Sequence, residues 1–103
     1  MRQFDAFRNP SEASSNFAPM LMVLQSALTI TETTVVVAPL VLPNRIHEEV
    51  RLFPRLTVRR RTLVHSTSEL GAIHKRALKD LITNLETERK RIIAAIDVLF
   101  SGF

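Results

Sequence analysis

Three histidines, fourteen basic residues and ten acids are the groups in this 103-residue chain that could do chemistry. None of His47, His65 and His74 reads as standing at the helical i, i+4 spacing to another His or to an acid, the arrangement that brings two metal ligands to one helix face, and no metal or other cofactor is expected. The absence of cysteine excludes disulfides and thiolate metal sites, and suits a reducing cytoplasm. A hydrolytic nucleophile needs a sharp glycine-flanked turn and a phosphate cradle needs a glycine-rich loop; Gly71 and Gly102, the two glycines, supply neither. The chain therefore reads as a non-enzyme. One catalytic class stays open, because an RNase site assembled from Arg, His, Thr and an acid carries no fixed spacing. His65 itself reads as a strand residue with a satisfied hydrogen bond.

The charge is unevenly placed. Residues 45–61 hold six arginines (Arg45, Arg51, Arg55, Arg59, Arg60 and Arg61) against Glu48 and Glu49, a local charge of +4. Residues 1–44 sum to −1, with Arg2 and Arg8 against Asp5, Glu12 and Glu32. An arginine-rich middle fits a solvated strand edge protected from aggregation by charge, an acidic protein partner, or nucleic acid. Only Phe53 of the six phenylalanines lies in that segment, so the aromatic–basic interleaving that stacks bases is missing and direct nucleic-acid binding is not expected.

The elements that must position these groups are mostly strands. Gln3–Phe7 alternates, with Phe4 and Ala6 on the face opposite Asp5 and Phe7. Residues 9–19 have loop composition, Met20–Leu24 runs apolar, and the pattern breaks at Gln25–Leu28. Thr33–Val37 is β-branched and should be a buried strand, with Pro39 and Pro43 marking its exit or an edge. Leu56–Val58 and Thr62–His65 flank Arg59-Arg60-Arg61 as two arms of a hairpin without an Asn-Gly turn. Ser66–Leu70 reads as a turn, and Ala72–Leu81 suits a helix face or an edge strand equally.

The end of the chain reads as a helix over about residues 84–100. Thr83-Asn84-Leu85-Glu86 has the form of a capping box, with Asn84 as the alternative cap. Ile92, Ile96, Leu99 and Phe100 fall at i, i+4, i+7 and i+8 on one face, with Asp97 off that stripe. The apolar tip Phe100-Ser101-Gly102-Phe103 needs a burial site: the chain's own core, a twin subunit or a partner. Residues 1–103 make one domain with room for a single core. The start lacks the apolar run of a signal peptide, and the longest apolar stretch, residues 35–43, is far short of the ~20 residues of a membrane helix, so a soluble protein is expected.

Several segments, in order and over nearly the whole chain, resemble the CcdB family of toxin–antitoxin modules. They are Gln3-Phe4-Asp5 with Arg8-Asn9-Pro10, Leu24-Gln25-Ser26, Val35-Val36-Val37-Ala38-Pro39-Leu40, Phe53-Pro54, and the end from Ile92 to Phe103. The resemblance implies a mainly β subunit with one C-terminal α-helix: an SH3-like barrel or antiparallel sheet plus a small second sheet. It implies a cytoplasmic homodimer with its tails near the two-fold axis, and a role in plasmid maintenance. Toxins of this kind are not enzymes; they bind the A subunit of DNA gyrase, a topoisomerase, and trap it on cleaved DNA. A CcdA-like antitoxin with an acidic flexible tail neutralises them. By position, the gyrase-binding residues would be Leu28, Thr29, Asp97, Phe100, Ser101, Gly102 and Phe103. The family's plasmid toxin carries Trp-Gly-Ile where this chain has Ser101-Gly102-Phe103, and a pair of isoleucines at Leu28-Thr29. Charge alone points to Arg55, Arg59, Arg60 and Arg61 for the antitoxin. The alternatives are a relative that keeps antitoxin binding without poisoning, and an RNase on the related MazF-like fold.

Overall fold

The computed structural model describes residues 1–30, 33–45 and 50–102. Seven strands, β1 (Asp5–Arg8), β2 (Met20–Val23), β3 (Thr34–Val41), β4 (Arg55–Val58), β5 (Arg61–His65), β6 (Gly71–His74) and β7 (Leu81–Asn84), precede one helix, α1 (Arg89–Ser101). All pairings are antiparallel, in the order β4-β5-β3-β2-β1-β7, with β6 branching from β3. The fold is a curled half-barrel of antiparallel strands with a C-terminal helix, as the sequence implied. The expected small second sheet takes the form of the β6 branch on the N-terminal half of β3.

Two-residue alternation sorts the apolar side chains onto two faces. Ala6, Met20, Met22, Ala38, Leu40, Leu56, Val58 and Leu63 face the interior, where Phe4, Leu85 and Ile92 join them. Phe7, Val23, Val35 and Val37 form a second cluster with Leu78 on the opposite face, and Ala18, Val41, Phe53 and Val64 a third. Burial on both faces is why β2 and β3 read as unbroken apolar runs rather than clean alternation.

Pro39 lies inside β3, which runs on to Val41 rather than ending before it. The reason is local. Val37, Pro39 and Val41 turn their backbone groups to the side where β6 stops at Val37 and β5 starts at Leu40. Pro39 sits in that gap, so its missing N–H removes no ladder bond, and its carbonyl accepts from Ser66 N–H at 3.0 Å. Pro43 does mark an exit, opening a 3-10 turn over Pro43–Arg45.

The hairpin over Arg59–Arg61 forms, with Val58 opposite Arg61. Its turn residues Arg59 and Arg60 both have positive φ, 49° and 69°. Two such residues in succession define the tight turn that follows strand twist, a place ordinarily held by Asn-Gly. Arginine there costs on the order of 1 kcal/mol per residue through its Cβ. The hairpin leans on the far end of the strand path: the Arg59 guanidinium donates to the Ile82 carbonyl, and Thr57 N–H faces Glu88 Oε2 at 3.5 Å. These contacts curl the path towards closure.

The ambiguous stretch resolves into β6, a 3-10 turn at Lys75–Ala77, and β7. The capping box does not form. Thr83 is held in β7 opposite Ala6, so the chain cannot enter a helix there. Asn84 instead accepts from Glu86 N–H through Oδ1 at 2.9 Å and donates through Nδ2 to Gln3 O and Asp5 Oδ1, each at 3.0 Å. A 3-10 turn over Glu86–Glu88 follows, and α1 starts at Arg89, five residues later than expected. Arg89 clamps this start by bonding Gln3 Oε1 at 3.1 Å and lying 5.3 Å from the centre of the Phe4 ring.

Candidate functional site

The helix stripe is Ile92 and Ala95, both buried, flanked by half-buried Ile93, Ile96 and Leu99. Phe100 leaves it: its ring is 71% exposed. Thus Ala95, which the spacing of the large apolar residues leaves out, completes the packed face at i+3 from Ile92, while Phe100 is exposed. The helix ends at Gly102, whose φ of 77° is open to glycine without steric cost and whose N–H bonds the Val98 carbonyl at 2.9 Å. Ser101 and Gly102 are exposed, and Phe103 lies outside the described residues. Asp97 is exposed on the same helix and, with Arg89, Lys90, Ile93 and Ala94, lines a groove of about 490 Å³. A second groove of about 270 Å³ runs between α1 (Arg91, Ala94, Val98) and Val50, Arg51 and Pro54.

Leu28 is 92% exposed at the crest of a 3-10 turn, Ala27–Thr29. Ser26 Oγ accepts from Leu28 N–H at 3.3 Å, and Gln25 ties the turn down, donating to Thr29 O at 2.7 Å and accepting from Val36 N–H at 3.0 Å. Among the described residues, the hydrogen bonds of Ala27–Thr29 stay within Gln25–Ile30; none reaches α1. Leu28 and Phe100 are thus both exposed apolar side chains, one on a turn and one at the helix tip.

The four arginines do not form one patch. Arg59, Arg60 and Arg61 cluster at the hairpin tip. Arg55 stands four residues before Arg59, about 13 Å away at the rise of a strand, half-buried with its guanidinium on Phe53 O at 2.9 Å. Among the described residues, Arg60 and Arg61 make no ion pair; the acids Glu86 and Glu88 pair instead with Arg89 and Arg91, at 3.6 and 3.2 Å.

His65 is buried completely beneath the sheet. Thr67 Oγ1 donates to Leu52 O at 2.5 Å and so accepts from His65 Nδ1 at 2.9 Å, fixing the tautomer. Nε2 is left without a partner among the described residues, so the expected satisfaction covers one nitrogen of two. Desolvation pushes its pKa from 6.5 down to about 4, and the ring is neutral at pH 7. Such a ring cannot reach a phosphodiester. Glu69, four residues on, turns to Ser66 Oγ at 2.6 Å instead, because the pair spans a strand and a turn rather than a helix. His74 accepts from Arg76 N–H through Nδ1 at 3.2 Å, and His47 lies outside the described residues. No group of three or more His, Cys, Asp or Glu among the described residues could hold a metal ion. No helix of the described residues is long and apolar enough to cross a membrane.

The described surface carries an aromatic helix tip, an exposed leucine turn and a cationic hairpin tip. A family model described as CcdB protein matches residues 3–102. No curated protein matches the chain by sequence.

Proposed function

Because the chain belongs to the CcdB family, we propose that it is the toxin of a toxin–antitoxin module, acting without catalysis by binding the DNA gyrase A subunit and trapping the cleaved complex. The observation that carries this reading is Phe100, an aromatic ring left in solvent at the end of a helix whose isoleucines and Leu99 are buried or half-buried. A ring so placed gains most of its contact area only when a second protein covers it. Asp97, Ser101, Gly102 and Phe103 would share that contact, with Leu28 and Thr29 as a further contact raised on their own turn. The groove of Ile93, Ala94 and Asp97 supports a homodimer through α1, in a cytoplasmic protein. An acidic antitoxin segment would meet the arginines Arg55, Arg59, Arg60 and Arg61.

The test is a gyrase cleavage assay. The full chain should accumulate cleaved DNA, and a chain lacking residues 101–103 should lose this while remaining folded. Failure of the full chain to bind the gyrase A subunit or to arrest growth overturns the reading. Ser101 favours one second reading, a family member that keeps antitoxin binding but does not poison gyrase. A serine supplies none of the stacking that a tryptophan offers, worth about 1 kcal/mol beyond buried area. Antitoxin binding with unimpaired growth on induction would select it.

A further inference from the structure

The β4–β5 hairpin holds arginine where the backbone asks for Asn-Gly. Arg59 and Arg60 both sit in the left-handed region, and both are exposed, so no packing inside the subunit demands their side chains. Arg59 has one structural bond, to the Ile82 carbonyl. Arg60 and Arg61 have no ion pair or side-chain hydrogen bond among the described residues, and the neighbouring outward positions of the hairpin are Thr57 and Thr62, neutral and exposed. Strain retained at an exposed site, with the relaxed alternative open, points to use of the side chains by something outside the subunit.

We infer that the Arg59-Arg60-Arg61 tip is a docking point for a carboxylate-bearing peptide segment, with Arg60 and Arg61 as the two pairing groups and Arg59 as the strut that fixes the turn against β7. The inference rests on the reading of an acidic partner segment given above and narrows it from four arginines to two. Guanidinium forks match carboxylates with paired, directional hydrogen bonds. Nucleic acid fits less well. Nonspecific duplex binding draws on many phosphate contacts at once, and no aromatic side chain flanks the tip to stack an unpaired base. Glu86 and Glu88, the latter facing Thr57 N–H of the hairpin, pair with Arg89 and Arg91 and not with Arg60 or Arg61, so the tip keeps its charge for a partner.

The experiment compares the full chain with the double variant Arg59→Asn/Arg60→Gly and the single variant Arg61→Gln. The probes are a labelled poly-glutamate decapeptide and a 20-base-pair DNA duplex at several salt concentrations. The double variant should melt at a higher temperature than the parent, because its turn is relaxed, yet bind the peptide several-fold more weakly, the loss of the one exposed charge pair made by Arg60. Arg61→Gln should weaken binding several-fold with the melting temperature unmoved. Unchanged peptide affinity in both variants overturns the inference, as does a double variant that melts lower, since the arginines would then be structural. Tighter binding of the parent to the duplex than to the peptide also overturns it, in favour of nucleic acid. Gyrase trapping should be the same in all three proteins, so failure at this tip is distinguishable from failure of the toxin reading.

Discussion

The two exposed tips of the molecule break opposite rules. At the end of α1 the backbone is relaxed, with Gly102 taking the left-handed turn that ends the helix, while the side chain is the anomaly, an aromatic ring in water. At the β4–β5 hairpin the side chains are ordinary exposed arginines, and the backbone is the anomaly. An apolar group in solvent loses contact free energy at no conformational cost. A strained turn accepts a conformational cost that a different residue would remove. Both deviations are local and solvent-facing, whereas the further non-glycine residue with positive φ among the described residues, Phe4 at 69°, is buried in the core. The contacts proposed above rest on these two solvent-facing departures.

The comparison can be broken from the inside outwards. Ile92→Ala should cost about 2–5 kcal/mol in denaturant unfolding, since Ile92 is fully buried against the sheet. A cost below 1 kcal/mol would mean that α1 is not anchored by that face.

Acid should act next. With the folded pKa of His65 at about 4 and the unfolded value at 6.5, the unfolded chain alone is protonated between these limits. The stability from keeping the ring neutral is complete above pH 6.5 and is lost as pH falls towards 4. About 3 kcal/mol disappears over that window. Chemical denaturation at several pH values should give this slope, and His65→Asn should flatten it. An unchanged slope in the variant would remove His65 as its cause.

Gly102→Ala should cost about 1 kcal/mol through its positive φ alone, because an added Cβ meets nothing within 4 Å. This is the mirror image of relaxing the arginine turn, which should stabilise, and equal signs for the two exchanges would dissolve the contrast. The smallest effect is Phe100→Ala, which should leave stability within about 0.5 kcal/mol by thermal unfolding. A larger loss would mean that the ring packs in a dimer.

Where local chemistry and fold agree, the sequence was readable. β-branching announced β3, alternation placed Phe4 and Ala6 opposite Phe7, and Ile92 marked the packed face of α1. Misreadings came where a distant partner overrode a local signal. Thr83-Asn84-Leu85-Glu86 looks like a helix cap, but β1, some eighty residues away in sequence, holds Thr83 in a strand. Pro39 looks like a strand end, but the hand-over from β6 to β5 leaves it a place where no donor is needed. Phe100 joined the apolar stripe by spacing alone; position 95, an alanine, carries the packing instead. At the candidate site, residue types were legible and their grouping was not. The four arginines divide between two places, and Leu28 rises on a turn tied to β3 rather than to the helix.

The pairing of β1 with β7 has a mechanical consequence. Asp5 stands opposite Asn84, then Ala6 opposite Thr83 and Phe7 opposite Leu81, so residues before β1 and residues after β7 leave the ladder at the same end. Tension applied across Asp5 and Asn84 would open these pairs one after another, as a zip opens, instead of shearing them together. The clamp of Arg89 on Gln3 and Phe4 sits at the slider of that zip. Leu85 N–H on Phe4 O and Asn84 Nδ2 on Gln3 O lie at that same end, so these contacts together resist the first step of such a pull.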